Sequence, residues 1–337
     1  MATSSRAGKS TGKRRLLSAL VWAILAIIAY TAAWFAVANY TTQKVESVFD
    51  GDNPLAAALD CDDMSIAGFP LRFGLFCSKV NINDQRNGIM GTAGAFRSSA
   101  QIFRPGNITW ELDGPAIIQT ANQIAATLRW DRMHSNMSVG WSGTESASTK
   151  LERWQANITE ASTGAMLALA GEEGRIKVKR EGADLTASLR LVSLAIGEND
   201  DAQRLPNATV QGQLRLFGQA GVLDIDHPVP LQIHGLEGQF DTLEVDMGEG
   251  RKLKASGPVS IDERGLVSGT LKVELDKVDS WRDMVIGAYP GTRDAARLAA
   301  KGLRALFMGQ NQGNVTLQIT NGVIVLGFIP LGNIPPL

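Results

Sequence analysis

With 337 residues, 44% of them hydrophobic and 20% charged, the chain has the make-up of a folded protein and too much apolar content for wholesale disorder. A formal charge of -1 gives no basic face for nucleic acid, and three His with two Cys exclude a Cys/His-rich metal framework. No cofactor, metal or nucleic-acid partner is expected.

The charge is unevenly placed. Residues 1–43 carry Arg6, Lys9, Lys13, Arg14 and Arg15 but no acidic residue, so the remainder is net acidic. Residues 1–15 read as a basic cytoplasmic tail. Residues 16–38, LLSALVWAILAIIAYTAAWFAVA, hold no charge. As a helix they reach about 34 Å, enough to cross a bilayer core. Lys13, Arg14 and Arg15 at its start keep the N-terminus in the cytoplasm by the positive-inside rule, and Tyr30 and Trp34 suit the far interface. The alternative is a cleaved signal peptide ending at Ala36-Val37-Ala38. Against it, the run exceeds the roughly 7–15 residues of a secretory apolar core, and Trp34 and Phe35 crowd the cleavage point. Both readings export residues 39–337.

Export permits a disulfide between Cys61 and Cys77. Closing a loop of that size contributes about 3 kcal/mol in the chain-entropy model. Two separate buried thiols are the alternative; a redox pair lacks the Cys-x-x-Cys spacing. Between the cysteines, Gly68 and Pro70 suit a tight turn joining Met64–Ala67 to Leu71–Cys77, a hairpin that the Cys pair would staple. Phe69, Phe73 and Phe76 are expected to pack on the sheet, and Arg72 to pair with Asp62 or Asp63 at the hairpin base. A structural staple is the plain reading of this segment and a binding site the alternative.

Period-two alternation dominates from about residue 60 onward, the mark of half-buried strands. Leu185–Leu191, Val210–Leu216, Leu243–Met247, Thr270–Asp276 and Val315–Ile319 all carry it, and residues 236–278 read as a three-stranded antiparallel meander. Asn321-Gly322 is a hairpin turn that needs positive φ at both positions. Glu172-Glu173 and Asp200-Asp201 read as polar, turn-like stretches. In the segment DIDHPVPLQIH, His227 and His234 stand seven apart and so on opposite faces of a strand; a shared metal would need a bend at Pro228 and Pro230. Exposed polar groups at a turn are the plainer reading.

Helical patterning returns at 280–308. Ser280 and Asp283 make a capping-box pattern, and Pro290-Gly291 interrupts the run. After the break, Ala295, Leu298, Ala299, Leu303 and Leu306 form one apolar face. Arg293, Arg297, Lys301 and Arg304 form a basic stripe, either a contact for anionic lipid headgroups or a solvated helix face. No charge follows Arg304. The tail Val323–Leu337 is too short to span a membrane and too apolar for an uncovered edge. The fold expected is therefore mainly β: an N-terminal transmembrane helix, then one large antiparallel, curved sheet with a single C-terminal helical segment.

The pattern C…GFPxRF…C, carried by Cys61, Gly68, Phe69, Pro70, Arg72, Phe73 and Cys77, joins the N-terminal anchor and the closing LGxxPLGxxPPL of residues 326–337. Together they resemble the family named domain of unknown function 2125, anchored envelope proteins of Gram-negative bacteria with no established activity. The stretch GPVSIDERGLVSGTLKV at 257–273 is similar in style to AsmA-like proteins. That likeness implies long curved sheets enclosing an apolar groove and an association with lipid movement.

These resemblances place the body in the periplasm, tethered to the inner membrane. The expected role is holding or passing lipid, or another apolar ligand, in a β groove. A scaffold binding other envelope proteins is the alternative. No nucleophile elbow, Walker loop, dinucleotide fingerprint or zinc-protease motif occurs, so no enzymatic activity is expected.

Overall fold

The computed structural model describes residues 18, 20–36, 39, 59–84, 88–121, 123–140, 143–198, 205–224, 231–326 and 329–337. Helix α1 (residues 20–36) is exposed along its length except at Thr31 and Trp34. Among the described residues no helix is long and apolar enough to cross a membrane. The basic tail and the two ends of the expected 16–38 span lie outside the described residues.

Beyond α1 the protein is one antiparallel sheet that begins as two arms. One arm runs β1 (Leu59–Asp62), β4 (Lys79–Asp84), β5 (Ile89–Ala93), β8 (Ala116–Thr120), β9 (Ile124–Arg129). The other runs β2 (Ser65–Ala67), β3 (Arg72–Cys77), β6 (Phe96–Gln101), β7 (Arg104–Leu112), β10 (Arg132–Gly140). The chain alternates between the arms hairpin by hairpin. Both arms end on one long strand, β11 (Gly143–Glu160), whose first half pairs with β10 and whose second half pairs with β9.

From β11 the sheet continues in chain order. It passes through β12 (Ala165–Glu181), β13 (Asp184–Glu198), β14 (Ala208–Leu216), β15 (Leu236–Asp246), β16 (Lys252–Ile261) and β17 (Val267–Leu275). It ends with β18 (Gly313–Thr320), β19 (Val323–Leu326) and β20 (Ile329–Asn333). The expected meander over 236–278 is strands β15 to β17. Asn321 and Gly322 turn the chain between β18 and β19 with φ of 49° and 84°, as a turn of positive φ at both positions requires. The charge-free tail forms β19 and β20, and its last residues fold back on two earlier turns: the Ile334 N–H donates to the Gly322 carbonyl and the Leu337 N–H to the Gly265 carbonyl.

Register sorts the side chains by face. One row across β11 to β18 reads Lys150, Arg175, Arg190, Gln211, Glu244, Lys254, Glu274, Asn314. The adjacent row, on the opposite face, reads Thr149, Ile176, Leu189, Gly212, Leu243, Ala255, Val273, Val315. The first face is held by cross-strand polar contacts, such as Lys150 Nζ to Glu173 at 3.3 Å and Gln211 to Glu244 at 3.1 Å. The second is apolar or small from Ile176 to Val315, with Thr149 at its β11 end bonded to Ser135. Register slips at Leu191/Leu194, Gln213/Leu214 and Phe240/Leu243 recur on successive strands, and such slips bend and twist a sheet.

Several expectations are corrected. Glu172 and Glu173 sit inside β12, not in a turn. Glu173 is held there by Lys150 and Arg175, which supply the charge partners a strand needs at a polar position. The helical segment, by contrast, is interrupted at Pro290-Gly291 as expected: helices α2 (Val278–Ala288) and α3 (Arg293–Leu306) are separated by a short 3-10 turn at Pro290–Thr292.

The capping box does not form. Helix α2 starts two residues before Ser280, and its first N–H groups donate instead to Asn311, from Val278 to the backbone carbonyl and from Asp279 to the side chain. Nor is the apolar face read from the sequence of α3 the buried one. Ala300 and Phe307 are buried with Val278, and Leu275, Leu303 and Val315 pack on them. Leu298 and Leu306 face outward at 73% and 56% exposure. Leu303 alone of that face joins this core.

Cys61 and Cys77 form a disulfide, with Cα atoms 5.4 Å apart. It staples more than a hairpin. Cys61 lies on β1, in register with Val80 and Ala93 of its arm, and Cys77 lies on β3, in register with Phe96 and Leu112 of the other. The bond ties the two arms together at the end remote from β11. Replacing both cysteines by Ala should lower stability by about 3 kcal/mol. Thermal melts with and without reductant check this: reductant should lower the melting temperature of the native chain and leave that of the double variant unchanged.

Candidate functional site

Two features stand out on this scaffold: the apolar face of the sheet, and the turn that meets helix α1.

The apolar face is covered unevenly. At the β17–β18 end, α2 and α3 close over Leu275 and Val315. Near the β12–β13 turn a short 3-10 segment, Ala220–Leu223, is held by the Ala220 N–H donating to the Ala183 carbonyl. Between them the face is open: Ile176 and Leu189, neighbours in the same row, are 50% and 38% exposed.

Past Leu151 the sheet breaks along one line. Pairing lapses at Arg153 opposite Glu172 and again around Ser193, and Arg153 and Ser193 have positive φ. The break turns Trp154 onto the apolar face. A Cβ added at Gly171 or Gly174 would meet its indole at 2.8 and 3.0 Å, so only glycine leaves room for the ring. Beyond the break a second apolar row, Ile196, Leu169, Ala156, Leu128, Ala116, carries the surface into the β1 arm. The surface is therefore continuous from the helix pair to the two-armed end.

The GFPxRF turn behaves differently from the sequence expectation. Gly68 takes φ of 116°, where a Cβ would meet the Arg72 carbonyl oxygen at 2.8 Å. Phe69 leaves the sheet and packs on α1. Trp34 meets Phe69 and Phe73 edge-on, at ring-centroid distances of 5.4 and 6.1 Å, and Phe35 stacks on Phe69 at 5.8 Å. The Tyr30 hydroxyl donates to the Pro70 carbonyl. Edge-to-face aromatic pairs contribute about 0.5–1.5 kcal/mol each beyond their buried area, so the motif fixes the end of the helix to the sheet.

Arg72 does not reach Asp62 or Asp63. It sits at the turn end of β3, whereas those two aspartates lie at the base, where Ser78 and Asn81 bond them. Arg72 instead lines a polar cleft of about 470 Å³ with Arg97, Gln101 and Arg104. Arg97 is committed: its guanidinium grips Asp113 through both oxygens, at 2.8 and 2.6 Å. That bond holds the Asp113 carboxyl below the usual range, against a smaller opposing effect of burial.

The other candidate residues stay apart. Arg293 is exposed. Arg297 and Lys301 border a cleft with Asp279, and Arg304 turns back to Asp279 at 3.1 Å and to the Gly309 carbonyl. His227 lies outside the described residues, and His234 is exposed. His134 contacts Asn136 at 3.2 Å and Glu111 at 3.6 Å. Among the described residues no group of three or more His, Cys, Asp or Glu is placed to hold a metal ion.

Comparison with known proteins bears on the whole of this scaffold. Residues 34–335 match a family described as an uncharacterized protein conserved in bacteria, DUF2125. The chain belongs to the DUF2125 family. No curated protein and no solved structure matches it, and the AsmA-like style of residues 257–273 has no counterpart in these comparisons. The matched span of the DUF2125 chain opens at Trp34, the residue that α1 packs against the GFPxRF turn, and takes in both arms, the long sheet and α2–α3.

The seat of Trp154 gives a direct check on the apolar face. Gly171→Val should destabilise by about 1–3 kcal/mol through overpacking against the indole. Gly302→Ala, in α3 with no atom near the added Cβ, should be neutral or stabilising by up to about 1 kcal/mol. Denaturant unfolding of the two variants reads both effects.

Proposed function

We propose that this DUF2125 chain is a membrane-anchored envelope protein that holds an apolar ligand, lipid in the first instance, on the open apolar face of its sheet. The supporting observation is the row Thr149, Ile176, Leu189, Gly212, Leu243, Ala255, Val273, Val315, apolar or small at every strand yet uncovered at Ile176 and Leu189 on β12 and β13. Exposed contiguous apolar surface of this kind marks a site of interaction with ligand, membrane or protein. The chemistry is binding: apolar side chains and two small-residue positions suit an acyl chain, and among the described residues of that row no charged group is present to act on one.

The anchor belongs to the same proposal. Residues 16–38 carry no charge and follow three basic residues, which supports a single crossing of the inner membrane with the body in the periplasm. The outward-facing apolar side chains of α1 agree with lipid as their solvent. A second reading has one specific observation in its favour. Among the described residues β20 pairs only with β19, leaving an edge to which another envelope protein could add a strand.

The test uses the full chain extracted from its membrane in detergent, with native mass spectrometry and lipid extraction. The native chain should retain phospholipid or free acyl ligand. Ile176→Asp with Leu189→Asp should cut retention about tenfold by placing carboxylates against the chain, without changing the melting temperature by more than a few degrees. Equal retention in the two proteins, or no lipid above the detergent-exchanged background, contradicts the reading.

A further inference from the structure

At the end of the β2–β3 arm two hairpin tips lie side by side, joined by the Ile102 N–H donating to the Leu71 carbonyl at 3.2 Å. Their outermost side chains are Phe69, Leu71 and Phe103, at 46%, 57% and 79% exposure. Three large apolar groups held outward at two adjacent turns form a patch, and one of them, Phe69, is already packed against the aromatic end of α1.

Immediately behind this apolar tip lies a cationic row. Arg72 pairs in register with Gln101, and Gln101 with Arg104, so on three adjacent strands two guanidinium groups flank one amide on the same face. Like charges so placed repel unless a counter-charge sits between them. Among the described residues no carboxylate forms an ion pair with Arg72 or Arg104, in contrast to Arg97 farther along the face, which holds Asp113 and Glu111. The cleft they border, about 470 Å³, is lined besides by the hydroxyl and amide groups of Ser99, Asn107 and Thr109, by Trp110, and by Glu111, the carboxylate that Arg97 holds at 3.6 Å.

We infer that this cleft binds the phosphate of an anionic phospholipid headgroup at the outer surface of the membrane that α1 enters, with Phe69, Leu71 and Phe103 inserted among the acyl chains. The inference rests on the reading that α1 lies in a bilayer. Arginine suits the task because its planar fork meets phosphate oxygens through two parallel bonds, and basic residues close to an anionic surface add attraction. The order along the structure is that of a membrane interface: apolar helix, aromatic cluster, apolar tip, then arginines and hydroxyls. Four residues of the GFPxRF motif then have assigned roles. Gly68 makes the turn, Phe69 and Phe73 seat the helix, and Arg72 takes the headgroup.

The full chain in detergent micelles is titrated with short-chain phosphatidylglycerol or phosphatidylcholine, and bound lipid is counted by native mass spectrometry. Phosphatidylglycerol should bind in preference to phosphatidylcholine. Arg72→Gln with Arg104→Gln should weaken it about tenfold, and Arg72→Lys with Arg104→Lys should restore most of the binding, all with unchanged melting temperature. Equal binding of the two lipids, or an unaffected Gln variant, overturns the proposal. Displacement by inorganic phosphate as effective as by the lipid itself would identify a free-anion site and also overturn it.

Two further measurements keep this proposal separate from those it stands beside. Ile176→Asp with Leu189→Asp should lower total lipid bound but keep the preference for phosphatidylglycerol over phosphatidylcholine; loss of that preference there but not in the Arg variant assigns the lipid to the sheet face and overturns the headgroup site alone. Release of the chain from membranes by alkaline extraction overturns the anchor, and with it this site, whatever the titration shows.

Discussion

Each residue of an antiparallel strand turns its side chain to the side opposite its neighbour's, so the rows that stay in register from β11 to β18 are each committed to one face. Here that constraint places Lys150, Arg175, Arg190, Gln211, Glu244, Lys254, Glu274 and Asn314 on one side, and an apolar row on the other. The polar side is solvated and cross-linked by ion pairs. The apolar side needs a cover, and the helices α2 and α3 reach only its far end. A one-residue slip in any strand would move that strand's charges into the apolar row, so the register itself is protected by the cost of burying them.

The two-armed start follows from the same need. A strand as long as β11 exposes more edge than one short neighbour can pair, and β10 and β9 share it, on either side of Arg153. The chain feeds both arms alternately, and the disulfide ties their remote ends. The break at Arg153 and Ser193 does a second job, because it turns Trp154 onto the apolar face over Gly171 and Gly174. Those glycines make room for an indole.

Local features were legible in the sequence and long-range ones were not. Alternation located β15, β16 and β17, and Asn321-Gly322 located a turn, because both depend on neighbours in the chain. The hairpin of Gly68 and Pro70 was legible for the same reason. The arms were not: β3 with β6, β5 with β8, and β11 with both β9 and β10 are pairings that no periodicity encodes. Glu172-Glu173 looked like a turn because its partners, Lys150 and Arg175, lie across strands.

Helix α3 shows a different limit. Its apolar arc includes both the side formed by Ala300, Leu303 and Phe307 and the side formed by Leu298 and Leu306, and only tertiary packing decides which is covered. Arg72 was assigned to the wrong end of its hairpin because charge suggested a partner, whereas register puts it beside Gln101. The family motif therefore lies at a junction that sequence alone does not display: the place where α1, the arm tips and the cationic cleft meet.

The account comes down to what covers the middle of the apolar face. Photo-crosslinking in intact cells tests it most directly, with benzoylphenylalanine placed singly at Leu189 on that face and at Arg190 on the opposite one. Lipid adducts at position 189, and none at 190, are the outcome this account predicts. Adducts to protein alone at 189, or the same lipid labelling at both positions, would contradict it.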